Sequence, residues 1–125
     1  EALAWATGKL GNEPLLIYSS GTPDEVQAIQ AERGREEAGA MIERAMAAIA
    51  KGLVETGVRR LVVAGGETSG AVVEALGVKA LRIGQEIDPG VPWTLSLGDP
   101  AVFLALKSGN FGGPDFFEKS FRMLE

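Results

Sequence analysis

Two short glycine-rich stretches carry the polar groups whose spacing suits chemistry. In GGETSG, residues 65–70, two glycines precede a carboxylate and two hydroxyls, and an apolar segment, AVVEAL, follows. Gly65 and Gly66 permit backbone angles and close approaches that a side chain would block. Thr68 or Ser69 is expected to cap the helix that starts there, whose first N–H groups have no carbonyl one turn back. Those donors, with Glu67 beside them, suit an anion, because the helix dipole adds positive potential at the same end. The second stretch, KSGNFGGPDFF from Lys107, joins a cation, the polar groups of Ser108 and Asn110, the pliable backbone of Gly109, Gly112 and Gly113, and the ring of Phe111. Amides here can meet phosphates, and Phe111 can either stack on a base or plug the core.

Neither stretch is a standard phosphate motif. Gly65 and Gly70 have the spacing of a Walker loop, but Ala71 and Val72 stand where that loop has Lys and Ser or Thr, and GxGxxG is absent. An ordinary strand-to-helix turn is therefore the competing reading of residues 65–70. Glu67, Glu86, Asp88, Asp99 and Asp115 are candidate magnesium partners, directly or through water, though no pair has a diagnostic spacing. Asp88 before Pro89–Gly90 and Asp99 before Pro100 also read as turn residues, which leaves Glu67 foremost.

Composition narrows the chemistry. The chain has 125 residues, 46% of them hydrophobic and 23% charged, which fits a single globular domain. With no histidine and no cysteine, imidazole bases, thiolate nucleophiles and the usual zinc sites are excluded within it. The lack of cysteine fits a reducing cytoplasm. A net charge of -5 argues against a nucleic-acid partner, so any bound phosphate is held locally. No apolar run is long enough for a membrane span, and the amino end lacks the pattern of a secretory leader. Leu3, Ala6 and Leu10 already follow a helical period after Glu1, which reads as a cut through a longer polypeptide.

The elements that position the two stretches alternate between strand and helix. LLIY, residues 15–18, reads as a buried strand, and Thr22, Pro23 and Glu25 as the start of a helix reaching Glu32. The longest helix is expected over residues 35–57, with Ala38, Met41, Ile42, Ala45, Ile49 and Leu53 inward and Gly57 as its stop. A strand from Arg60 leads into the first glycine turn and a helix ended by Gly77. KALRIG reads as a strand, QEIDPGVPW as a loop unable to form a regular ladder, and residues 93–97 as a resumed strand. Residues 102–106 form the most apolar run, a central strand, and Pro114 opens a last helix with Phe117, Phe121 and Leu124 on one side. The expected fold is α/β: a mostly parallel or mixed sheet flanked by helices on both faces. The polar turns at residues 19–21, 65–70 and 107–113 fall where ligands lie in such sheets, beyond the strand carboxyl ends.

Together, VVAGGETSGAVVEALGV, IGQEIDPGVPW and LALKSGNFGGPDFF resemble the C-terminal nucleotide-binding domain of the four-carbon acid sugar kinases, especially the 3-oxo-tetronate kinases. The resemblance runs from YSS to the final helix and implies that residues 1–125 are such a domain, truncated at its N-terminal side. It implies ATP, with Mg2+, as the cofactor and a four-carbon acid sugar, bound by a missing N-terminal domain, as the acceptor. Gly65, Gly66, Glu67, Thr68 and Ser69 match the family's first nucleotide-binding turn, and Gly109, Asn110, Phe111 and Gly112 its second. The loop from Glu86 to Pro92 also matches, without an assignable role beyond shaping the cleft or meeting the other domain. The general base is then expected in the missing part, and the oligomeric state is open between monomer and homodimer. Two other classes compete: a non-catalytic module holding a phosphorylated metabolite, and a structural domain whose turns bind nothing.

Overall fold

The computed structural model describes residues 1–11, 13–19, 24, 27–28, 31–32 and 34–124. Helix α1, Ala2–Lys9, buries Ala6 completely and seats Leu3 in the space left by the absent side chain of Gly52. Helix α2, Arg35–Glu55, begins with Glu36 and Glu37, which suit the positive end of its dipole. It ends at Thr56 and at Gly57, whose φ of 113° a side chain would resist. Its buried residues are Ala38, Ala47, Ala50, Leu53 and Val54. The expected inward line was rotated from this one, for Ala45 is exposed and Met41 is at the surface. The alanines decide the rotation, since their small side chains let α2 approach Val63 and Val72 closely.

Strand β1, Arg60–Ala64, leads through Gly65 into helix α3, Gly66–Ala75. Strands β2, Leu81–Asp88, β3, Val91–Ser96, and β4, Phe103–Lys107, follow, and helix α4 spans Phe116–Arg122. The sheet order is β1-β4-β3-β2, with β1 parallel to β4 and both other pairs antiparallel. The sheet is therefore mixed. Alternation along β1 and β4 sends Leu61, Val63, Leu104 and Leu106 toward α2 and α3, and Val62 and Ala105 toward α4. Helices thus cover both faces. The apolar run around Leu104 is central as expected, with Leu104 and Ala105 fully buried. On the α4 face the Trp93 indole N–H donates to the Ser120 carbonyl at 2.8 Å, so this buried ring leaves its polar atom paired. No helix among the described residues is long and apolar enough to cross a membrane.

Several expectations change. QEIDPGVPW is not a loop: β2 continues to Asp88, turns at Pro89–Gly90 and returns as β3. The proline is accommodated because Pro92 lies outside the β3–β4 ladder, opposite a part of β2 whose register shifts twice. The strand expected at Lys79 starts only at Leu81. Leu15–Tyr18 is not a strand. An apolar run becomes one only through a partner's ladder, and among the described residues this run has none, with Leu16 64% and Tyr18 69% exposed. Of the helix expected to reach Glu32, Asp24, Gln27, Ala28, Ala31 and Glu32 are helical, whereas Thr22, Pro23 and Glu25 lie outside the described residues. The last helix starts at Phe116, two residues after Pro114, and buries Phe116 and Ser120; Phe121 and Leu124 pack against the same cluster, whereas Phe117 is exposed.

Candidate functional site

Because β1 and β4 are parallel neighbours with Ala64 opposite Lys107, both glycine turns leave the sheet at the same end. The Gly65 N–H donates to the Lys107 carbonyl at 2.7 Å, joining the turns through their first residues. A Cβ on Gly66 would stand 3.4 Å from Ser108 Oγ, so the second pair of residues also faces across the gap. The N-cap of α3 is Gly65, with φ 117°, and no side chain caps the helix. Thr68 and Ser69 do not cap, contrary to expectation, because the N-cap falls three residues before Thr68, at Gly65, and places both inside the first turns of the helix. The Ser69 N–H closes the first intrahelical bond, to the Gly65 carbonyl at 2.9 Å. The N–H groups of Gly66, Glu67 and Thr68 precede it, where a helix has no internal acceptor to offer. Gly66 and Glu67 are exposed, Gly65 and Thr68 half-buried, and Ser69 buried, with its hydroxyl unpaired among the described residues.

A cleft of about 310 Å³ opens at this helix start, lined by Gly65, Gly66, Glu67 and Thr68 and, from α2, by Gly39, Ile42 and Glu43. Sequence reasoning missed the α2 wall. Glu43 reads from its spacing as a solvent-facing helix residue, and only the packing of α2 on α3 brings it to Glu67. A hydrogen bond with Glu67 holds the Glu43 carboxyl above its usual range, aided by desolvation and by repulsion from the same neighbour, with Arg44 opposing. Two carboxyls thus meet at the rim of a helix N-terminus.

The second turn is built around Lys107. Its ammonium donates to the Gly109 carbonyl at 2.7 Å, so it folds back over its own loop. The Phe111 N–H donates to the Ser108 carbonyl, closing a tight turn in which Gly109 has φ 53°. Gly112, at φ 92°, presses on Phe116, whose Cδ2 lies 2.8 Å from where a Cβ would be. Asn110 is exposed. Phe111 does not plug the core: it is 55% exposed and rests against Gly90 of the β2–β3 turn.

The remaining acidic candidates separate by position. Asp88 accepts hydrogen bonds from the Gly113 N–H at 3.0 Å and from Lys119 Nζ at 2.7 Å, so each oxygen is engaged. These bonds hold its carboxyl below the ordinary range and the Lys119 ammonium above its own, keeping the pair charged at neutral pH. Asp99 precedes β4 and lies at the opposite end of the sheet from Lys107. Glu86 is exposed on β2, opposite Pro92, and Asp115 is the N-cap position of α4. Among the described residues no group of three or more acidic side chains is arranged to hold a metal ion.

Residues 1–117 match the family model described as nucleotide-binding C-terminal domain. The chain is 60% identical over 123 residues to a 3-oxo-tetronate kinase of Cupriavidus necator, across 98% of this chain and 28% of that protein. It is 59% identical over 125 residues to a 3-oxo-tetronate kinase of Burkholderia multivorans, across 100% of this chain and 29% of that one. A crystal structure of a Haemophilus influenzae protein shares the fold with a TM-score of 0.89 at 41% identity, covering 99% of this chain and 30% of its own. The chain therefore spans less than a third of the length of the curated relatives it matches.

Proposed function

The chain belongs to the nucleotide-binding C-terminal domain family, and from that premise we propose that it is the ATP-binding part of a kinase that phosphorylates a four-carbon acid sugar of the 3-oxo-tetronate, threonate or erythronate type. The observation that carries this reading is the junction of the two glycine turns, where the Gly65 N–H donates to the Lys107 carbonyl beside the open start of α3. The N–H groups of Gly66, Glu67 and Thr68 offer donors to phosphate oxygens without any basic patch, in keeping with the net charge of -5. Ser69 brings a buried hydroxyl to the same turn. Gly109, Asn110 and Gly112 supply the backbone of the second turn, and the exposed ring of Phe111 offers a surface for the base.

Magnesium fits the residues at this place, because Glu43 and Glu67 put two hard oxygen donors beside the helix start. When bound with the nucleotide, such an ion neutralises phosphate charge and leaves the donors of α3 to fix orientation. In the transfer the γ-phosphorus exchanges its bond to the ADP oxygen for one to a sugar hydroxyl, whose proton passes to a base outside this chain. Residues 1–125 hold and orient the donor, and a separate domain holds the acid sugar, in a cytoplasmic enzyme.

The test is titration of the 15N-labelled chain with magnesium and a non-hydrolysable ATP analogue. Amide shifts concentrated at residues 65–69 and 109–112, reversed by ADP, are expected. Shifts confined elsewhere, or a ligand that sugar phosphates displace and ADP does not, would replace this reading with a metabolite-binding module.

A further inference from the structure

The segment IGQEIDPGVPW matches the family with no assigned role beyond shaping the cleft or meeting the other domain, and its contacts supply a sharper one. Resting on the nucleotide reading above, we infer that Asp88 and Gly90 are positioning residues that hold the Ser108–Gly113 turn in the shape that receives the nucleotide. Neither needs to touch the ligand.

Asp88 ends β2 with its side chain only 13% exposed. One oxygen takes the Gly113 N–H and the other takes Lys119 of α4, so a single carboxylate ties the end of the glycine turn to the helix that follows it. Glycine turns have little side-chain packing to fix them, and an ionised acceptor on a strand end is a strong anchor for a backbone N–H. The two register shifts in β2 fall between Ile83 and Asp88, and such irregularities re-aim the side chains beyond them. Two residues before Gly113 in the same loop, Phe111 lies with Cδ1 and Cε1 each 3.3 Å from where a Gly90 Cβ would be. Gly90 also has φ 85°, so glycine is required there for its backbone and for its bare surface. One side of the Phe111 ring is thereby seated on backbone while the ring stays more than half exposed. The hairpin fixes the turn at both its ring and its last N–H, while Lys107 and Ser108 at its start meet Gly65 and Gly66 of the first turn. Preorganisation of this kind lowers the ordering cost of binding.

The experiment compares the full chain with Asp88→Ala, Asp88→Asn and Gly90→Ala, reading thermal melting, the Gly113 amide resonance and its hydrogen-exchange protection, and the dissociation constant for MgATP. Asn retains one acceptor for Gly113 without the charge. At metal sites, loss of an outer-shell partner costs about 10–100-fold in affinity or activity, and the same scale is expected for a turn held by one carboxylate. Asp88→Ala and Gly90→Ala are expected to weaken MgATP in that range, with Gly113 deprotected in Asp88→Ala, and Asp88→Asn is expected to recover most of both. Asp88→Ala binding MgATP as wild type does, with the Gly113 amide deprotected, overturns the inference while leaving the nucleotide reading intact. Wild type failing to bind MgATP removes the nucleotide reading and this inference together. If Asp88→Ala does not fold, Gly90→Ala decides the matter: unchanged affinity, with Phe111 resonances displaced, overturns the inference.

Discussion

Gly66→Ala separates folding from binding. Gly66 is the first residue of α3 and has no left-handed angle to lose, and its new methyl would meet Ser108 Oγ at 3.4 Å, an ordinary contact. Replacing glycine by alanine inside a helix stabilises by about 0.5–1 kcal/mol, an upper limit for this end position. The melting temperature should therefore hold or rise, by at most about 5 °C. The same methyl occupies the gap between the two turns, where the proposed binding brings a phosphate oxygen close to the opening N–H groups. Loss of one hydrogen bond to a charged group costs about 1.5–3 kcal/mol, so MgATP affinity should fall about 10–150-fold. Calorimetric titration alongside thermal melting measures both. A variant at least as stable as wild type that binds MgATP within about twofold of it would refute the placement of phosphate between these turns.

Glu43→Gln tests the carboxyl pair. The folded pKa of Glu43 lies above its ordinary 4.5, so its contribution to stability is fully present below that value and is lost as pH rises through the raised one. Melting temperatures across mildly acidic to neutral pH should accordingly decline less in Glu43→Gln, and its ATP affinity should depend less on magnesium; an unchanged pH profile and magnesium dependence would contradict both. Gly112→Ala meets φ 92° and the buried Phe116 ring, and should lose about 1–3 kcal/mol or more in denaturant titration, together with nucleotide affinity. Leu104→Ala empties a fully buried position in the central strand and should lose about 2–5 kcal/mol, while MgATP affinity of the folded fraction stays as in wild type.

The sequence by itself determined the α/β class, the longest helix, the central strand at Leu104 and both glycine turns, because apolar period, turn residues and glycine content are local properties. It also placed the two turns at strand carboxyl ends, which parallel pairing of β1 with β4 then made neighbours. What the chain could not reveal locally depended on partners distant in sequence. The side of α2 that is buried follows from how closely Ala47 and Ala50 let it approach α3 and the sheet, and that packing alone brings Glu43 to Glu67. Leu15–Tyr18 has the composition of a strand but no ladder among the described residues, whereas the proline-containing segment around Pro92 has one, because pairing is settled by the neighbouring strand. Asp88 read as a turn residue from its Pro-Gly neighbours. Only the tertiary structure joined it to Gly113 and Lys119, 25 and 31 residues away, since a hydrogen bond is specified by position in space and leaves no periodic trace along the chain.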